Sequence, residues 1–213
     1  MGKSLRGKFI TLEGAEGSGK STQARMLCEY LEEQKKEVLH IREPGGVKIS
    51  ESIRDILLDV KNTAMSDECE TLLYMAARAQ LIEEVIVPEL EKGKIVLCDR
   101  FLDSTVAYQG YGNGVDAKTI QAVGKFATRS ISPDLTLLFD IDAKKGLARA
   151  GKNKDRIEQR SLAYHNRVRK GYLELTKQEP QRIKLIKVDK DKEEIFKIVK
   201  RHVDKLLHCN RNN

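Results

Sequence analysis

The chain has 213 residues, 40% of them hydrophobic and 33% charged, a globular balance that excludes a disordered chain and, at roughly 150 residues per domain, predicts one domain with a mobile insertion. No apolar run approaches the ~18 residues of a membrane helix; Phe9-Ile10-Thr11-Leu12 stops at Glu13, too short for a secretory core, and Arg6 stands where a myristoylated Gly2 needs Ser or Thr. Lys and Arg exceed Asp and Glu by 39 − 32 = 7, which asks for an anionic partner, but the lack of Trp, the 5% aromatic content and mixed runs such as Asp189-Lys190-Asp191-Lys192-Glu193-Glu194 argue for a solvated surface and against nucleic acid.

In chain order, the short apolar segment Lys8 to Glu13 ends at Gly14 and predicts a buried strand. A helix follows from Ser21 to Gln34, with Ala24, Leu27, Cys28 and Leu31 as its buried stripe. Val38 to Ile41 is a second strand, and Arg42-Glu43-Pro44-Gly45-Gly46 a loop by its Pro and Gly content. Ile49, Ile53, Ile56, Leu57 and Val60 mark an amphipathic helix. A longer one runs from about Asp67 to Glu91 with a stripe of Leu72, Leu73, Ala76, Ala79, Ile82, Ile86 and Leu90, kinked near its end by Pro88. Ile95-Val96-Leu97-Cys98 reads as a central parallel strand. Leu135 to Phe139 and Ile183 to Val188 are two more, each set off by helical patterns. Repeated strand and helix predict an α/β fold, a parallel sheet with helices on both faces. Gly151 to Asp155, polar and basic between helical segments, predicts a mobile flap near 149–156, and the tail from Cys209 is expected to fray. Cys28, Cys69, Cys98 and Cys209 form no C-x-x-C pair, so neither zinc nor a disulfide framework is signalled, and reduced thiols in a cytoplasm are expected.

Gly14-Ala15-Glu16-Gly17-Ser18-Gly19-Lys20-Ser21 fits G-x-x-x-x-G-K-[ST] between a predicted strand and a predicted helix. Such a loop curls backbone N–H groups around phosphate oxygens at a helix N-terminus. Gly14 to Thr22 are therefore the ATP-binding candidates, Lys20 reaching the β and γ phosphates and the Ser21 hydroxyl ligating Mg²⁺. Asp99 emerges at the carboxyl end of a strand, placed for the same Mg²⁺ or its waters; capping the next helix is a compatible alternative.

An Asp-x-x-Gly switch and an Asn-Lys-x-Asp base reader are both missing, since Asn153-Lys154-Asp155 ends in Arg156, and this argues against a GTPase. His-Arg-Asp and Asp-Phe-Gly motifs are also missing, which excludes a protein kinase. Size disfavours a motor or transporter ATPase. What remains is a compact kinase of a small molecule, with a nucleotide-dependent binding protein as its non-enzymatic rival.

Four motifs then appear in order: Phe9 to Gly14 leading into the phosphate loop, Arg42-Glu43-Pro44-Gly45-Gly46, Asp99-Arg100-Phe101 with Ser104-Thr105-Val106-Ala107-Tyr108-Gln109-Gly110, and Asp155-Arg156-Ile157-Glu158-Gln159. Over nearly its whole length the chain resembles the thymidylate kinases. The resemblance implies a P-loop nucleoside monophosphate kinase fold, ATP-dependent conversion of dTMP to dTDP by direct in-line transfer, Mg²⁺ as cofactor, and a homodimer formed through long helices such as Asp67 to Glu91. It brings no membrane and no nucleic acid partner.

The resemblance also assigns roles. Arg100 grips the acceptor phosphate, with Arg42 and Arg54 as further candidates beside it, because planar guanidinium forks hold phosphate oxygens bidentately. Glu43 and Ser104 belong to the motifs of the acceptor site. Tyr74, where Phe is usual, stacks on thymine, and Arg78, four residues on and on the same helix face, bonds a thymine carbonyl. Thr105 and Gln109 meet the polar edge of the base, Tyr108 packs beside the sugar, and Glu16 contacts the 3′-hydroxyl. The loop has no arginine while Arg149, Lys152, Lys154 and Arg156 crowd the flap. This resembles the bacterial arrangement, with Arg149 and Arg156 as the expected catalytic cations.

Overall fold

The computed structural model describes residues 7–151 and 154–208; Lys152 of the expected flap, Gly2 and Arg6, and the tail from Cys209 lie outside the described residues. Five parallel strands form one sheet: β1 (Lys8–Gly14), β2 (Val38–Arg42), β3 (Ile95–Asp99), β4 (Leu135–Asp140) and β5 (Ile183–Lys187), in the order β2-β3-β1-β4-β5. The three central strands are near-continuous apolar runs, buried as a sheet covered on both faces requires, while the edge strands β2 and β5 keep residues partly or fully exposed.

Alternation along the strands sorts the core into two layers. Ile10, Leu12, Leu97, Leu137 and Phe139 pack against α1 (Lys20–Glu33) and α9 (Lys192–His208) through Ala24, Leu27, Leu31, Ile195, Val199 and Val203. Each of the larger side chains contributes about 1.5–3 kcal/mol relative to exposure. On the opposite face Phe9, Val96 and Cys98 meet Leu81, Ile82, Ile86 and Leu90 of the long central helix. Leu138 and Ile183 meet Tyr108, Val168, Tyr172 and Leu175, from the π-helical segment Val106–Asn113 and α8 (Leu162–Gln178). The expected α/β sandwich is the observed architecture.

The long helix spans the expected Asp67 to Glu91 but is composite: α3 (Asp67–Leu81), a π-helical turn Ile82–Ile86 and α4 (Val87–Glu91). The Val87 N–H reaches back five residues to the Ile82 carbonyl. A wider turn at this place accommodates Pro88, which lacks an N–H and crowds the carbonyl four residues before it. The expected apolar stripe needs correction. Leu72 is 57% exposed and Ala76 is exposed, while Thr71, Met75, Arg78 and Leu81 are buried. The inward face of α3 looks onto a polar site as well as an apolar core, so hydrophobicity alone misplaces it.

Two further helices, α2 (Lys48–Leu58) and α6 (Ala117–Ala127), pack against α3, and the short α5 (Leu102–Thr105) and α7 (Ala143–Arg149) follow β3 and β4. Register brings the strand ends into line. Leu12 pairs with Asp99 and Arg42 pairs with the same Asp99, so the segments leaving β1, β2 and β3 emerge at one edge. This is the carboxyl edge, where open α/β sheets bind ligands.

Candidate active site

A cavity of about 570 Å³ opens at that edge. Its walls gather Glu16 to Thr22 from the loop after β1, Arg42, Glu43 and Arg54, Tyr74 and Arg78 of α3, Asp99 and Arg100 after β3, Ser104, Thr105, Tyr108 and Gln109, and Arg149 of α7. Gly14 and Ala15 sit at the base of the loop, outside the lining, and Arg156 is not brought to the cavity.

The loop turns on glycines held at φ of 139° (Gly14), 67° (Gly17) and 84° (Gly19), values that side-chain-bearing residues avoid. At Gly14 and Gly17 space is also decisive: a Cβ would lie 2.4 Å from the Phe139 carbonyl oxygen and 2.2 Å from that of Gly146, respectively. Helix α1, unlike α3, α6, α7 and α8, has no side-chain N-cap, so its first N–H groups remain for a ligand. Lys20 Nζ donates to the carbonyls of Gly14 (3.1 Å) and Ala15 (3.2 Å). Burial, and then Arg100, pull its pKa below the usual lysine range.

Ser21 Oγ lies 3.4 Å from Asp99 Oδ2, and Asp99 Oδ1 is buried without a hydrogen-bond partner. An orphaned carboxylate oxygen beside a hydroxyl at a phosphate loop fits Mg²⁺, a hard cation that takes oxygen ligands and keeps several waters. Among the described residues there is no cluster of three or more acids, histidines or cysteines that could cage a metal. Ser21 and Asp99 together with phosphate oxygens are the donor set available.

Arg100 occupies the left-handed region at φ 73°, a strained conformation that its surroundings hold in place. Its Nη1 donates to the Gly14 carbonyl (3.0 Å), Ser104 Oγ (3.3 Å) and Tyr172 Oη (3.2 Å), while Nη2 pairs with Glu16. Burial works to lower its pKa, but Glu16, Tyr108 and Tyr172 outweigh it and keep the guanidinium charged. Burial alone would raise the pKa of Glu16; Arg100 and then Lys20 hold it below the ordinary value. Arg42 and Arg54 converge on the Pro44 carbonyl at 2.7 and 2.8 Å, and Glu51 neutralises Arg42. The three expected phosphate-binding arginines thus all line the cavity.

The base-binding candidates line the same cavity. Arg78, 2% exposed, is clamped by Glu43 through Nε and Nη2, both 2.8 Å from Oε2, and its guanidinium lies over the Phe101 ring. Burial raises the Glu43 pKa against the pull of Arg78. Glu43 Oε1 and Thr105 Oγ1 are buried without partners. Gln109 Nε2 donates to Glu70 Oε1 at 2.9 Å.

The flap segment divides. Arg149 lines the cavity and its Cβ lies against Gly17. Arg156, half-buried, is instead paired with the buried Glu70 at 2.6 Å, and its Nε donates to the Leu57 carbonyl at 2.8 Å. A buried carboxylate draws the nearest guanidinium, and that anchors Arg156 away from the cavity. Lys154 does not line the cavity, whereas Asp155, Ile157 and Glu158 do.

Three polar residues behind the walls were not singled out from the sequence: Glu13, Glu70 and Tyr172. Glu13 is fully buried and accepts from the Phe101 N–H (2.7 Å), Ser104 Oγ (2.6 Å) and Tyr172 Oη (2.8 Å). Burial and then the Asp103 charge push its carboxyl up to about 7. A signal existed for two of the three. Glu13 is an acid directly continuing an apolar strand, and Glu70, Tyr74 and Arg78 recur at four-residue steps, hence on one helix face.

A protein-family model described as thymidylate kinase matches residues 12–199. A thymidylate kinase of Clostridium novyi is 44% identical over 199 residues, covering 92% of this chain and 97% of that protein. One from Syntrophotalea carbinolica is 50% identical over 186 residues, covering 84% and 86%. The crystal structure of a thymidylate kinase from Ehrlichia chaffeensis superposes with a TM-score of 0.77 at 34% identity, covering 93% of this chain and 98% of that one.

Proposed function

The chain belongs to the thymidylate kinase family, and on that premise we propose that it transfers the γ-phosphoryl group of ATP to dTMP, giving dTDP, by direct in-line displacement in the cavity described above. The observation that carries this reading is the convergence in one cavity of a phosphate loop, three arginines on a second anion position, and an aromatic and amide-lined slot. An oxygen of the dTMP phosphate attacks the γ phosphorus, the bond from γ phosphorus to the bridging oxygen breaks, and ADP leaves with that electron pair. No protein nucleophile takes part.

The chain's own work is positioning and charge neutralisation. Loop N–H groups and Lys20 hold the donor phosphates. Arg100, Arg42 and Arg54 hold the acceptor phosphate, and Glu16 receives the 3′-hydroxyl. Tyr74, Arg78, Thr105 and Gln109 seat the base, with Tyr108 at the sugar. Arg149 supplies the flap cation at the transferred group, while Arg156 braces the flap through Glu70. Ser21 and Asp99 would hold Mg²⁺, which when bound would neutralise charge on the donor phosphates.

A homodimer is also proposed. Three neighbouring helices leave large apolar side chains exposed: Ile49 (52%) and Ile56 (47%) on α2, Leu72 (57%) on α3 and Phe126 (85%) on α6. Apolar surface of this extent on a water-soluble enzyme favours burial against a second copy. The free thiols of Cys28, Cys69 and Cys98 suit a reducing cytoplasm, and among the described residues no helix is long and apolar enough to cross a membrane.

The test is nucleoside diphosphate formation from ATP, Mg²⁺ and a panel of monophosphates, resolved by chromatography. Clear preference for dTMP is expected. Phosphorylation of a different monophosphate would reassign the acceptor, and ATP binding with no transfer at all would reduce the protein to a nucleotide-dependent binder.

A further inference from the structure

Glu70 is fully buried on α3, one helical turn before Tyr74, yet no step of the proposed reaction uses it. Its carboxylate is saturated. Oε2 pairs with Arg156 (2.6 Å) and Arg160 (2.8 Å), and Oε1 accepts from Asn113 Nδ2 (3.0 Å) and Gln109 Nε2 (2.9 Å). All four partners donate to its two oxygens, so toward Gln109 the Glu70 side chain acts only as an acceptor.

The consequence falls on Gln109. A side-chain amide can present either its oxygen or its nitrogen to a ligand, and the two faces have nearly the same shape. Facing a carboxylate, only the nitrogen can turn toward Glu70. The side-chain oxygen Oε1 of Gln109, a residue that lines the cavity, has no hydrogen-bond partner among the described residues. We infer that Glu70 is a positioning residue that locks the Gln109 amide with its oxygen presented to the nucleobase, so that the site accepts a base carrying a ring N–H, as thymine does, and rejects one carrying a ring lone pair there, as cytosine does. This rests on the proposed placement of the base beside Gln109. Against cytosine, the locked amide sets oxygen against lone pair, an unpaired buried contact that binding cannot repair without breaking the bond to Glu70.

The experiment compares kcat/KM for dTMP and dCMP in the full-length enzyme and in Glu70→Gln, Gln109→Ala and the double variant. Glu70→Gln substitutes a side chain that pairs with either orientation of Gln109, so the dTMP-to-dCMP ratio is expected to fall about tenfold, which corresponds to about 1.4 kcal/mol. The KM for ATP should stay within about twofold, as expected of a change confined to the base site. Gln109→Ala should lower the ratio comparably, and the double variant should lower it no further than Gln109→Ala alone. A merely structural role for Glu70 would depress both substrates equally and leave the ratio intact, which would overturn the inference, as would effects that multiply in the double variant. If Gln109→Ala itself leaves the ratio unchanged, the placement of the base is what fails. Should Glu70→Gln not fold with two arginines left around it, Glu70→Gln combined with Arg160→Gln keeps the net charge of the cluster. The same ratio is then read against Arg160→Gln alone, with the same fall expected and an unchanged ratio decisive against the inference.

Discussion

The Arg100 guanidinium lies over the Tyr108 ring, 4.9 Å from its centroid, and both residues bond the same oxygen of Glu16. One acid therefore fixes both the proposed phosphate-binding cation and the ring beside the sugar. Arg100→Lys keeps a positive charge but loses the fork that reaches Gly14, Ser104, Tyr172 and Glu16 at once. Steady-state kinetics should show kcat/KM for dTMP reduced about 100-fold or more.

Tyr74 lines the cavity, and its hydroxyl makes no hydrogen bond among the described residues. Tyr74→Phe is therefore expected to be nearly neutral. Tyr74→Ala removes the ring proposed to stack on the base and should raise the KM for dTMP about tenfold with that for ATP unchanged; equal effects on the two KM values would assign the ring to the core instead.

Gly17 and Gly19 both have positive φ, so alanine at either costs about 1–2 kcal/mol in backbone strain. At Gly19 the added methyl meets open space, but at Gly17 it would press on the Gly146 carbonyl and on Arg149 Cβ, displacing α7. Chemical denaturation should find Gly17→Ala less stable than Gly19→Ala by about a further 1–3 kcal/mol.

The folded-state pKa of Glu13, about 7, stands above its ordinary 4.5. Between those values the folded chain keeps a proton that the unfolded chain has released, so this group lowers stability as pH rises through the window and stops doing so above it. Glu13→Gln has no such group. Thermal melts from pH 5 to 8 should show the wild type losing ground to this variant up to about pH 7, with a constant difference beyond.

Leu72→Glu places a charge in the exposed apolar row of α3 without touching the cavity lining. Sedimentation should shift from dimer toward monomer. A wild-type protein already monomeric at micromolar concentration would remove the basis for the dimer.

The strands and the phosphate loop were legible because their signals are local. An apolar run ending in glycine and a fixed spacing of glycines and lysine need no knowledge of what lies across the sheet. The stripe of the long helix was misread because Leu72 and Ala76 obey helical periodicity as well as Met75 and Leu81 do, and only packing decides which row faces inward. Arg156 illustrates the same limit: its charge suited the cavity, but Glu70, 86 positions earlier, claims it. Glu13, Ser104 and Tyr172 form one hydrogen-bonded cluster from three distant stretches of chain, and no local pattern encodes that meeting.

Leu12 and Asp99 are paired rungs of adjacent parallel strands, so the segments proposed to cradle one phosphate and to grip the other issue from neighbouring threads about 4.8 Å apart. The sheet acts as a gauge block for the reaction. Sequence drift in the surrounding loops can retune affinity or closure, but the spacing of the strand ends from which these segments depart is set by backbone hydrogen bonds. Recalibrating it would take a slipped strand, which would turn Asp99 to the opposite face and leave a folded protein that has lost its bearings.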